Sequence, residues 1–128
     1  MDTRSKILDP SEAIERLSGP NHASLLIARG SFDILRAEHC RRLAQEKGES
    51  QKLLILVAAD ENPPRTVLDA RTRAELAAAL EVVDYVVILG EAGANRFIFS
   101  LSPARVVEPE IPPLHDIVAD VLRKCRSD

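Results

Sequence analysis

Short, continuous apolar runs alternate along this chain with segments whose apolar residues recur every three or four positions. Residues 23–28 (Ala-Ser-Leu-Leu-Ile-Ala), 53–59 (Leu-Leu-Ile-Leu-Val-Ala-Ala) and 84–89 (Asp-Tyr-Val-Val-Ile-Leu) are too short and too uniformly apolar to be amphipathic helices. They predict strands buried on both faces. Arg105-Val106-Val107 predicts a short fourth strand. The intervening segments read as helices. Asp9-Pro10-Ser11 opens the first, with Ser11 as its cap and Ala13, Ile14 and Leu17 on one face, and residues 18–21 end it. Residues 35–47 form a second helix, closed by Gly48. Asp69 caps a third, with Leu76, Ala79, Leu80 and Val83 on one stripe. Gly90 to Gly93 reads as a turn, followed by Phe97, Ile98 and Leu101 at helical spacing before Pro103. After Pro112-Pro113, Ile117, Val118, Val121 and Leu122 mark a final helix.

Strand and helix alternating in this way predict one α/β domain over residues 1–128, a three-layer Rossmann-like parallel sheet with helices on both faces. Such sheets bind ligands beyond the carboxyl ends of their strands, at the point where strand order reverses. The first strand-to-helix turn, Arg29 to Asp33, is the expected place for that crevice.

Composition narrows the function classes. Apolar residues make up 45% and charged residues 29% of the 128, as expected of a globular protein. The net charge of −3, with aromatics at 3% and no Trp, argues against a nucleic-acid partner, since both the basic footprint and the stacking platforms are missing. Cys40 and Cys125 carry no metal-ligand spacing, and neither do His22 and His115, so no protein-held metal is expected. Residues 1–7 show no apolar leader and no run reaches membrane-spanning length, so a cytoplasmic protein without a membrane partner is expected.

Residues 29–39, Arg-Gly-Ser-Phe-Asp-Ile-Leu-Arg-Ala-Glu-His, resemble the Gly-x-Phe-Asp-x-x-His-x-Gly-His signature of the cytidylyltransferase-like nucleotidyltransferases. The resemblance extends through residues 54–60 (Leu-Ile-Leu-Val-Ala-Ala-Asp), through Arg73-Ala74-Glu75-Leu76 to Val83-Asp84-Tyr85-Val86-Val87, and through Ser102-Pro103-Ala104-Arg105-Val106-Val107. The glycerol-3-phosphate cytidylyltransferase and ADP-heptose synthase branches are the most similar. The resemblance implies a domain that binds CTP or ATP with its phosphates at a helix N-terminus, uses Mg²⁺ when active, and forms a homodimer. It implies catalytic roles for His39 and Arg36, and nucleotide contacts for Gly30, Ser31, Phe32, Asp33, Arg65 and Arg73.

Four elements depart from the family pattern. Arg36 stands where the first His belongs, and its planar fork can still hold a phosphate. Glu38 replaces the Gly, and a carboxylate ~4 Å from a phosphate charge costs ~4 kcal/mol at an effective dielectric of ~20. The loop from Asp60 to Val67 has no Lys and only Arg65 as a cation, and residues 113–118 lack the late Ser/Thr and Arg pattern. Three readings follow: a divergent domain that binds nucleotide or phosphate with transfer impaired or lost, an active transferase acting on a sugar or polyol phosphate, and a non-catalytic dimerisation or interaction module. Bland alternatives stand beside each residue. Phe32 can be a core residue, Asp33 the cap of the following helix, His39 inert, Arg36 an ion-pair partner of Glu38, and Arg73 a cation on a solvated helix face.

Overall fold

The computed structural model of the chain describes residues 2–18, 25–33, 35, 37–48, 51–103 and 105–108. A 3₁₀ turn over Thr3–Lys6 leads into β1 (Ile7–Leu8), α1 (Pro10–Leu17), β2 (Leu25–Gly30), α2 (Ala37–Glu46), β3 (Lys52–Ala58), α3 (Ala70–Ala78), β4 (Tyr85–Leu89), α4 (Glu91–Leu101) and β5 (Arg105–Val107). The five strands pair in parallel in the order β1-β4-β3-β2-β5. The chain steps from β2 through β3 to β4, then returns to the far side of β2 for β5. Because parallel crossovers keep one hand, that reversal places the later helix on the opposite face from α2 and α3.

Alternation along the strands divides the core. Leu53, Ile55 and Val57 face α2 and α3, where Leu43, Ala74, Ala77 and Ala78 cover them. Leu54 and Leu56 face α1 and α4, packing with Ala13, Leu17, Ala94, Phe97 and Leu101. Residues 53–57 are all buried, as a central strand covered on both sides requires. The three-layer α/β architecture expected from the apolar runs is therefore present.

Several local expectations are corrected. Asp9, not Ser11, occupies the N-cap of α1, because the fixed φ of Pro10 suits the first helical position. In α3 the buried residues are Ala70, Arg73, Ala74, Ala77 and Ala78, while Leu76 is 44% exposed and Ala79 already lies past the helix. The small alanines let this helix approach the sheet closely, so the bulkier residues do not mark its inner face. Gly90 caps α4 and Gly93 lies inside that helix, where the expected turn would be. A Cβ on Gly93 would sit 3.3 Å from the Leu89 side chain, so the glycine serves the close approach of α4 to the end of β4. β1 went unpredicted because two residues carry no periodicity. The expected final helix over residues 117–122 and the start of the first strand at residues 23–24 lie outside the described residues.

Asp69 does cap α3, accepting the Thr72 N–H at 2.7 Å. Hydrogen bonding from Thr72, side chain first and backbone second, holds the Asp69 carboxyl below its usual range. A carboxyl lowered in the native state stabilises that state above its unfolded pKa, and the contribution fades as pH falls through the lowered native value. We expect Asp69→Ala to lower Tm at neutral pH and the gap to wild type to close in acid. A gap independent of pH would show that the charge plays no part.

Candidate functional site

The carboxyl ends of β2, β3 and β4 and the first turn of α4 enclose a crevice of about 360 Å³. Arg29, Gly30 and Ser31 form one wall, Leu56, Ala58, Ala59, Asp60 and Glu61 the middle, and Leu89, Gly90, Glu91 and Ala94 the other wall. The crevice lies where open parallel sheets take their ligands, with an aliphatic floor and a polar mouth.

Beneath it, the β2–α2 turn is tied down by buried polar groups. Phe32 sits at φ 50°, in the left-handed region that bulky residues avoid, and is 5% exposed. The ring packs in the core against the α2–α3 face. Both oxygens of Asp33 are used across the fold, accepting the Val67 N–H at 2.7 Å and the Leu68 N–H at 2.9 Å. The expectation that Asp33 caps the next helix is thus corrected: α2 begins four residues later, at Ala37, while the lead-in to α3 lies within reach.

Arg73 completes this clamp. Its guanidinium donates to the Ser31 carbonyl at 2.6 Å, the Leu68 carbonyl at 3.0 Å and Asp60 Oδ1 at 3.1 Å. Only 1% of it is exposed, so it is not a cation on a solvated helix face. Asp60 Oδ1 also accepts the Ala70 N–H at 2.8 Å, which joins the crevice wall to the start of α3.

Of the residues singled out from sequence, Gly30 and Ser31 line the crevice, while Phe32, Asp33 and Arg73 brace it from below. His39 is 2% exposed on α2 and is not among the lining residues. Arg65 is 80% exposed and pairs with Glu61 at 3.1 Å. Arg36 lies outside the described residues. Glu38 does not project into the crevice: its side chain is 64% exposed, with Oε1 4.0 Å from His39 Nε2.

Arg29 lies in the turn expected to form the crevice, and the structure adds residues that the motifs did not mark: Glu61, Glu91 and, behind Arg29, Asn95. Arg29 Nη1 donates to Asn95 Oδ1 at 3.0 Å, and Arg29 Nε lies 3.6 Å from Glu108 Oε1. Their signal was positional, since each stands at a strand's carboxyl end or in the helix or loop that follows. Among the described residues, no group of three or more His, Cys, Asp or Glu could hold a metal ion. The acids at the crevice do not fit a protein-held divalent cation. Among the same residues, no helix is long and apolar enough to cross a membrane.

Comparison with known proteins draws these features together. No family model matches the chain. It is 34% identical over 99 residues to an FAD synthase of Methanohalophilus mahii, an alignment covering 74% of this chain and 66% of that protein. It is 29% identical over 113 residues to the bifunctional protein HldE of Geobacter metallireducens, covering 84% of this chain and 23% of that one. The chain thus spans just under two thirds of the first relative and about a quarter of the second. Among solved structures, a lipopolysaccharide core biosynthesis protein of Thermoplasma volcanium superposes with a TM-score of 0.57 at 26% identity, over 65% of this chain and 71% of that one.

Proposed function

The chain belongs to the cytidylyltransferase-like nucleotidyltransferases, and from that membership we propose that it is a nucleotide-binding domain whose transfer step is impaired. The observation that carries the reading is the open crevice over Gly30 and Ser31, with Glu38 turned to solvent rather than plugging it. The phosphates lie along the Gly30–Ser31 turn, on the crevice wall that also carries the cation of Arg29. Phe32, Asp33 and Arg73 hold that turn in shape, and Arg65 stands at the exposed rim.

The altered chemistry is local. Transfer requires donors aimed at the charge that builds on the reacting phosphate. His39, the one signature His retained, is packed away from the crevice at 2% exposure, and Arg36 substitutes for the other. A divalent ion would arrive on the nucleotide's own phosphates, since Mg²⁺ is commonly held by substrate oxygens and few carboxylates.

The test is a thermal-shift titration with CTP, ATP, CDP and AMP, with and without Mg²⁺, beside an assay for pyrophosphate release from CTP and ATP with sugar and polyol phosphates. A nucleotide at about 100 times its Kd stabilises the native state by about 2.7 kcal/mol, a clear rise in Tm. We expect such a rise with one nucleotide, and release at background. Robust release would replace impairment with an active transferase, and no shift with any nucleotide would overturn the binding reading.

A further inference from the structure

We propose that Glu91 is a specificity-determining residue of the crevice, which selects a ligand presenting a hydrogen-bond donor, an amine or a hydroxyl, to the first turn of α4. This deepens the nucleotide-binding reading and rests on it. The charges around the crevice are unevenly matched. Asp60 is paired with Arg73 at 3.1 Å, Glu61 with Arg65 at 3.1 Å, and Arg29 lies 3.6 Å from Glu108. Glu91 lines the same cavity, and among the described residues its carboxylate has no ion-pair partner.

Position makes this carboxylate consequential. Glu91 is the first residue of α4, where unpaired N–H groups and the helix dipole favour its negative charge. Its own charge occupies the helix N-terminus, which would otherwise attract a phosphate. Asn95 lies four residues on, one turn along the same face, and accepts from Arg29. The crevice therefore presents an acceptor at Glu91 on the α4 wall and, on the β2 wall, a cation at Arg29 tied to Asn95, with Leu56, Leu89 and Ala94 as the aliphatic surface between them. A ligand fits if its anionic part lies toward Arg29 and Ser31 and its donor group toward Glu91. An ionised carboxylate only accepts, so a carbonyl in the donor's place meets repulsion.

The experiment measures ratios, because Glu91→Gln also removes a charge that repels every nucleotide alike. Kd values for CTP against UTP, and for ATP against the inosine triphosphate, compare an amine with a carbonyl on nearly the same frame. Glycerol 3-phosphate against 1,2-propanediol 1-phosphate, with nucleotide present, makes the comparison for a hydroxyl. In wild type the donor-bearing member of one pair binds more tightly by about tenfold, the scale of a hydrogen bond to a charged group. In Glu91→Gln that ratio falls toward one, since an amide both donates and accepts. Collapse of a base ratio assigns the donor to the nucleobase amine, and collapse of the acceptor ratio assigns it to the hydroxyl. Wild type that binds nucleotide but shows all three ratios unchanged by the substitution would overturn the role of Glu91 alone. Wild type that binds no nucleotide would overturn the binding reading, and this inference with it.

Discussion

Arg73→Ala lowers the stability of the native state by about 3 kcal/mol, read as a fall in the urea midpoint at unchanged slope. The side chain is 1% exposed and each guanidinium nitrogen faces an acceptor: Leu68 O, Ser31 O and Asp60 Oδ1. Alanine removes all three bonds and leaves two carbonyls with their desolvation uncompensated. Asp60 is 55% exposed and can turn to water, which keeps the effect toward the lower end for a broken buried pair. Arg71→Ala is the control. That residue pairs with Glu75 at 3.2 Å on an exposed face and its loss costs under about 0.5 kcal/mol. If Arg73→Ala moved the midpoint no more than the control, the clamp between the β2 turn and α3 would not be a source of stability.

The same clamp explains why sequence conveyed the fold better than the site. Strands β2, β3 and β4 were legible because burial on both faces leaves uninterrupted apolar runs, a signal that local reading captures. The inner face of α3 was illegible for the opposite reason. Its contact with the sheet is made by alanines and an arginine, whereas the periodic pattern draws attention to Leu76, which faces outward. The partners of Asp33 lie 34 and 35 residues away, so local capping rules pointed it at the wrong helix. Arg29 belongs to β2 while Glu91 and Asn95 belong to α4, and Arg29 meets Asn95 across 66 residues of sequence only once the chain has folded.

The signature segment shows how a motif can persist while its residues divide their duties. Gly30 and Ser31 face the crevice, Phe32 packs into the core and Asp33 binds a distant loop. Those requirements act on the turn whether or not transfer occurs, so the Gly-Ser-Phe-Asp stretch stays recognisable. Positions 36 and 38 carry Arg and Glu where the signature has His and Gly. Glu38, 64% exposed, is accommodated on the surface of α2 without disturbing the packing beneath.

Phe32 separates packing from backbone strain. Phe32→Ala removes a ring that is 5% exposed and should cost about 3–5 kcal/mol. Alanine retains the Cβ that makes φ 50° unfavourable, a penalty of roughly 1–2 kcal/mol. Phe32→Gly loses the same ring but takes that conformation readily. Glycine ordinarily destabilises relative to alanine through the greater freedom of the unfolded chain, by roughly 0.5–1 kcal/mol in helices and strands. At this turn the order should invert, with the glycine variant the more stable of the two by up to about 1 kcal/mol. Paired urea denaturation of both variants decides the matter. An alanine variant as stable as the glycine one would mean that the turn relaxes out of the left-handed region once the ring is gone. The left-handed backbone would then be imposed by Phe32's own packing. Inversion would mean instead that the bonds from Arg73 to Ser31 and from Val67 and Leu68 to Asp33 hold the turn in place around it, and that the crevice wall is shaped before any ligand arrives.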